Sequence, residues 1–206
     1  MHTQRVLRGM MCGIVFMVAG CANPGDRIPI DTATSRPGTV VTLKGEQRKL
    51  IGTPLEIGKA LPSAVLVDAS TMKKVDLSGM KGHVLFLSIV PSLDTKVCEA
   101  QTHYLGEKGT KLPPDIARIT ISRDTPFAQK RFASEAKLTA LTYLSDYRDA
   151  SFGRATGLLV EDNMLLARAV IIVDKEGIVR YMQVVPELTH LPDMETAFAR
   201  ASELDR

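Results

Sequence analysis

The 206-residue chain carries 26 basic and 23 acidic side chains for a formal net charge of +3, with 45% apolar residues and no tryptophan. That length supplies one good-sized core but not two full domains, and the apolar fraction excludes a disordered chain. The charges are interspersed, with no basic stripe set with aromatics, which argues against a nucleic-acid partner.

Residues 1–20 read as an export signal. Arg5 and Arg8 form a short positive region, and residues 10–20 are uncharged and mostly apolar. That run is shorter than the roughly 20 residues a membrane-spanning helix needs and suits a secretory signal. It ends in Val18-Ala19-Gly20-Cys21, which resembles the bacterial lipobox, where the cysteine is lipidated and becomes N-terminal. An ordinary signal peptide or a buried N-terminal helix is the alternative. On the lipoprotein reading the protein is exported and held at a membrane by Cys21, facing the periplasm or the cell surface. Cys12 is then discarded and Cys21 consumed, so Cys98 is the free thiol of the mature chain. It is either a buried small hydrophobe or a reactive group.

Residues 21–40 hold Pro24, Gly25, Pro29, Pro37 and Gly38 among polar residues and read as a flexible tether. The folded domain is placed at 41–206. Residues 40–43 and 48–51 flank Lys44-Gly45-Glu46 and predict a hairpin. Residues 64–69 predict a strand. Residues 83–90 are nearly continuous apolar sequence, as in a central strand buried on both faces. Pro91 ends it. A helix is expected over residues 95–107, a buried strand over 116–122, a helix over 125–136 and a short strand over 141–144. A second hairpin surrounds Lys175-Glu176-Gly177, and residues 192–204 close the chain as a helix. This alternation predicts an α/β domain: a mixed sheet flanked by helices, with an N-terminal β-hairpin. A thioredoxin-like fold is one member of that class.

The chemistry concentrates in Pro91-Ser92-Leu93-Asp94-Thr95-Lys96-Val97-Cys98. A buried strand ends at a proline, a short loop follows, and Cys98 falls in the first turn of a helix. Exposed N–H groups and the positive end of the helix dipole favour an anion there. Thr95 stands three residues earlier, where its hydroxyl can cap the helix or turn toward the sulfur. Asp94 and Glu99 oppose a thiolate by adding negative charge nearby. Read alone, Cys98 is a structural core cysteine, Thr95 a cap and Arg168 an edge charge on an apolar strand.

Pro-x-x-x-Thr-x-x-Cys resembles the active-site signature of the peroxiredoxins, and Ser92-Leu93-Asp94-Thr95-Lys96-Val97-Cys98 is similar to their thiol peroxidase branch. So are residues 121–132, Leu144-Ser145-Asp146-Tyr147-Arg148 and Ala167-Arg168-Ala169-Val170. The likeness runs over roughly residues 40–203 in register. It implies a thioredoxin-like fold and an enzyme of the thioredoxin-dependent peroxiredoxin type that reduces hydrogen peroxide and organic hydroperoxides. It implies that Cys98 attacks the peroxide, Thr95 hydrogen-bonds it, Arg168 stabilises the charge and Pro91 closes the pocket. A homodimer is implied in the same way. Arg148 is read as solvated or as lining the site.

The branch usually has a resolving cysteine after the Arg-Phe of its second helix, whereas Arg131-Phe132 is followed here by Ala133. Three cycles stay open: reduction of Cys98 by an external thiol or thioredoxin-like reductant, a Cys98–Cys98 bridge between subunits, or loss of activity. The last corresponds to a surface lipoprotein that keeps the fold as a binding module or redox sensor. No cofactor is expected. The histidines, His2, His83, His103 and His190, show no ligand spacing, so no metal is expected either.

Overall fold

The computed structural model describes residues 27–205; residues 1–20, read above as an export signal, and Cys21 lie outside them. The central sheet has seven strands in the order β11-β10-β6-β7-β8-β4-β5. They span β4 Val65–Asp68, β5 Lys74–Asp76, β6 Leu85–Ile89, β7 Ala117–Ser122, β8 Thr142–Ser145, β10 Ala169–Val173 and β11 Val179–Val184. Strands β6, β7 and β8 run parallel, while β10, β11, β4 and β5 pair antiparallel at the two sides. The four longer helical segments are α1 Lys96–Lys108, α2 Pro126–Glu135, α3 Ser151–Thr156 and α4 Met194–Leu204.

The nearly unbroken apolar run of β6 has a direct cause: every residue from Leu85 to Ile89 is buried. Successive side chains of a strand point to opposite faces. Leu85, Leu87 and Ile89 enter one core layer, with Ile171, Val173 and Phe152. Phe86 enters the other, with Val170, Ile172, Leu105, Phe198 and Cys98. Each such side chain contributes about 1.5–3 kcal/mol by leaving water. Helices α1, α2 and α4 supply the second layer; the first is closed by α3 and a smaller sheet.

That smaller sheet holds β2 Val40–Leu43, β3 Glu46–Ile51 and β9 Leu159–Val160, and the first two form the expected N-terminal hairpin. Together these elements make the α/β thioredoxin-like fold expected from the sequence. Of the segment 21–40 read as a flexible tether, residues 27–40 are described, and part of that stretch is paired. Strand β1, Ile30–Asp31, pairs in parallel with β12, Leu191–Pro192. Gln183 donates to the carbonyls of Asp31 and Ala33 at 2.6 and 3.1 Å, and Ser35 N donates to Val184 O at 2.8 Å. Polar, proline-containing sequence looks like linker, but here its backbone groups find partners on β11. The last helix likewise starts at Met194, two residues later than expected, because Leu191–Pro192 is a strand and Asp193 caps the helix by accepting from Thr196 N at 3.0 Å.

Candidate active site

Three elements converge at one end of β6. The loop from Pro91 to Thr95 leads from β6 into α1, and Cys98 is the third residue of that helix. Arg168 immediately precedes β10 and is in phase with Val170 and Ile172, the residues of β10 that face α1. Alternation along the strand therefore sends the guanidinium under the helix.

Cys98 is 0% exposed and Arg168 is 1% exposed, the largest of the fully buried side chains. Arg168 Nη2 lies 3.3 Å from Cys98 Sγ. Its Nη1 donates to Gln101 Oε1 at 2.8 Å, and its Nε donates to the Leu188 carbonyl at 3.0 Å. These partners are a sulfur, a neutral amide and a carbonyl; none is a carboxylate. A buried cation is costly unless it is paired. Of these three partners the sulfur of Cys98 is the one with nucleophilic chemistry, and it lies within hydrogen-bond reach of the guanidinium.

Gln101 went unnoticed in the sequence. It lies three residues after Cys98, on the same helix face, and is 0% exposed. Its Nε2 donates to Ser88 Oγ at 2.9 Å, which fixes the amide orientation and turns Oε1 toward Arg168. A buried polar side chain one turn beyond a candidate nucleophile was the available signal. Ser88 was equally legible as the polar residue within the apolar run of β6.

The approach loop has its own support. The Asp124 carboxylate accepts from Ser92 Oγ, Leu93 N and Ser122 Oγ, each at 2.7 Å, so the end of β7 holds the loop that precedes Cys98. The two acids expected to oppose the thiolate point elsewhere: Asp94 lies 3.9 Å from Arg131, and Glu99 lies 3.8 Å from His103.

Pro91, Thr95 and Arg168 line one cavity of about 480 Å³, with Leu43, Val97 and Leu188 among its apolar walls. Cys98 does not line it directly; Arg168 bridges the cavity and the sulfur. Thr95 occupies the N-cap position without capping the helix through its side chain. Its hydroxyl instead donates to the Ser92 carbonyl at 3.1 Å, so neither expected orientation is adopted. Arg148 is exposed and stands with Val65, Lys74 and Ser145 in a different depression, not beside Cys98. Ala133 packs in the same core layer as Cys98. Among the described residues, no cluster of three or more His, Cys, Asp or Glu could hold a metal ion, and no helix is long and apolar enough to cross a membrane.

Comparison with known proteins gives a consistent picture. The family model described as Redoxin matches residues 56–198. A thiol peroxidase of Halalkalibacterium halodurans is 40% identical over 161 residues, covering 78% of this chain and 96% of the relative. A thiol peroxidase of Bacillus subtilis is 38% identical over 164 residues, covering 80% and 97%. The crystal structure of a peroxiredoxin-like protein from Aquifex aeolicus superposes with a TM-score of 0.76 at 36% identity, over 82% of this chain and 99% of that one.

Proposed function

The chain belongs to the redoxin family and, within it, to the thiol peroxidases, peroxiredoxin-type oxidoreductases that reduce peroxides, and on that premise we propose that Cys98 is its peroxidatic nucleophile. The observation that carries the reading is the 3.3 Å contact between Arg168 Nη2 and Cys98 Sγ inside a buried site that holds no carboxylate partner for the arginine.

The Cys98 thiolate attacks the outer oxygen of the hydroperoxide. An S–O bond forms as the O–O bond breaks. The sulfur is oxidised to a sulfenic acid, and the leaving alkoxide or hydroxide takes a proton to become alcohol or water. Charge moves from sulfur to the leaving oxygen, and fixed donors stabilise it where it develops. Arg168 supplies such a donor. Thr95 supplies a second once its hydroxyl leaves the Ser92 carbonyl and turns into the cavity, and Pro91 closes one wall. Hydrogen peroxide fits this site, and the apolar walls at Leu43, Val97 and Leu188 suit the tail of an organic hydroperoxide.

Of the three cysteines, Cys12, Cys21 and Cys98, only Cys98 stands in the folded domain, and Ala133 takes the position where a resolving cysteine is usual. The sulfenic acid is therefore reduced from outside. One external thiol condenses with it, releasing water and leaving a mixed disulfide. A second thiol, or a thioredoxin-like reductant, then releases Cys98. The protein works as a homodimer and is exported after loss of residues 1–20. It is lipidated at Cys21 and anchored in a membrane facing the periplasm or the cell surface, with residues 41–206 as its catalytic domain. The uncharged run before Val18-Ala19-Gly20-Cys21 supports that placement.

Intact-mass spectrometry of the mature protein before and after one equivalent of peroxide tests these points together. Lipid is expected on Cys21 and one added oxygen on Cys98, and Cys98→Ser abolishes peroxide consumption. A Cys98 that stays reduced while the protein is folded would overturn the peroxidase reading in favour of a binding module.

A further inference from the structure

The carboxylate of Glu187, in the loop between β11 and β12, collects five donors, three from the distant β2–β3 hairpin and two from Thr189 in its own loop. Oε1 accepts from Lys44 N at 2.9 Å and from Thr189 N and Oγ1 at 3.1 and 2.8 Å. Oε2 accepts from Gly45 N at 3.0 Å and from Thr42 Oγ1 at 2.9 Å. Burial alone would raise its pKa, but the Gly45 and Lys44 amides and Thr189 hold it down at about 2. Glu187 is therefore a charged group whose partners here are neutral dipoles.

Lys44 and Gly45 are the two central residues of the β2–β3 turn, between the paired Leu43 and Glu46. Their φ values are +54° and +81°, as a two-residue type I′ hairpin requires. Glycine adopts that conformation freely and lysine does not. Both amides of the turn end on the carboxylate of a residue more than a hundred positions away, so the turn is completed by the opposite end of the chain.

Leu188 follows Glu187 directly. Its N–H donates to Thr42 O at 2.8 Å, and its carbonyl is the acceptor for Arg168 Nε. The same segments, Leu43-Lys44 and Leu188-Thr189, form one wall of the cavity beside Arg168. Gln101 fixes one side of the guanidinium from helix α1; the other side is fixed from a loop. We propose that Glu187 is a positioning residue of the peroxidase site: it clamps the β2–β3 turn to the β11–β12 loop and thereby fixes the Leu188 carbonyl that aims Arg168 at Cys98. This rests on the reading of Cys98 as the peroxidatic cysteine.

A double-mutant cycle tests it. Glu187→Ala and Glu187→Gln are each made in the parent and in an Arg168→Met background. The second-order rate of Cys98 oxidation by cumene hydroperoxide is measured in single turnover, with urea unfolding to establish that each variant is folded. In the parent background Glu187→Ala lowers the rate about tenfold, the scale expected when a reacting group is misaimed. Glu187→Gln, which keeps one acceptor oxygen, recovers part of that loss. In the Arg168→Met background both changes alter the remaining rate by less than about twofold, since the group being aimed is gone. Equal losses in both backgrounds, or no loss in the parent, would overturn the proposal. If Glu187→Ala does not fold, the cycle is read from Glu187→Gln alone. A parent chain whose Cys98 does not react with the hydroperoxide would instead defeat the peroxidase reading.

Discussion

Strand β10 has a buried charge at each end, and the two are handled in opposite ways. Asp174, just past its C-terminal end, is settled locally. Its carboxylate accepts from Glu176 N at 3.0 Å, Ile178 N at 2.8 Å and Arg180 Nε at 2.5 Å, all within six residues. Arg168, just before its N-terminal end, reaches Leu188, Gln101 and Cys98, which lie 20, 67 and 70 residues away. Asp174 meets a cation and closes a hairpin; Arg168 meets no carboxylate and faces a sulfur. A charge neutralised by its neighbours is a structural one, whereas Arg168 is left facing the proposed nucleophile.

The sharpest way to break this contrast is Arg168→Met. Loss of a donor at the point of charge development costs on the order of 10²–10³ in rate. The substitution also leaves Gln101 Oε1 and the Leu188 carbonyl without their donor, at about 1–3 kcal/mol for each buried acceptor. Peroxide consumption should therefore fall by about 10²–10³, while the chain still folds, with a somewhat lower urea midpoint. A rate within about threefold of the parent, against that 10²–10³ expectation, would place Arg168 with Asp174 as a structural charge.

Gln101→Leu is the intermediate case. It removes the acceptor of Arg168 Nη1 and the donor to Ser88, while Cys98 and Arg168 both remain. A loss of about tenfold in the rate of Cys98 oxidation is expected, because the guanidinium is loosened and not lost. Stopped-flow oxidation with hydrogen peroxide and with a bulky hydroperoxide measures it, and both substrates should slow alike.

Asp174→Asn sharpens the other side. It should leave the peroxidase rate within about twofold of the parent, as expected for a residue outside the site, and cost about 1–3 kcal/mol of stability through weakened buried hydrogen bonds. Burial alone would raise the carboxyl pKa, but the Ile178 amide, Arg180 and the Glu176 amide together hold it below its ordinary value. A depressed carboxyl contributes stability that is present above its unfolded pKa and is lost as the pH falls toward its folded one. Urea midpoints taken on going from neutral pH into the acid range below pH 4 should therefore fall more steeply for the parent than for Asp174→Asn.

Much of the fold could be read along the chain because the responsible forces act over a few residues. The apolar run of β6, the Pro91 stop and the hairpin glycines are all local signals. The short elements were not readable. Strand β9 is two residues paired with β3, and β1 is two residues paired with β12. Neither has a pattern of its own, because each exists only through a partner far away in sequence. Thr95 shows the same limit inside the site: its place before α1 was evident, but its hydroxyl went to Ser92 O.

The sequence by itself determined where the proposed nucleophile stands: an apolar strand, a proline and a helix start put Cys98 in the first turn, since each of those preferences is set by nearest neighbours. Only the tertiary structure decided what surrounds the sulfur. Arg168, Gln101, Leu188 and the Glu187 clamp come together because the sheet order brings β10 beside β6 and the last loop beside the first hairpin. The physical reason is range: backbone preferences act over a few residues, whereas a buried guanidinium donates to whichever acceptors the packed core brings within about 3 Å of it.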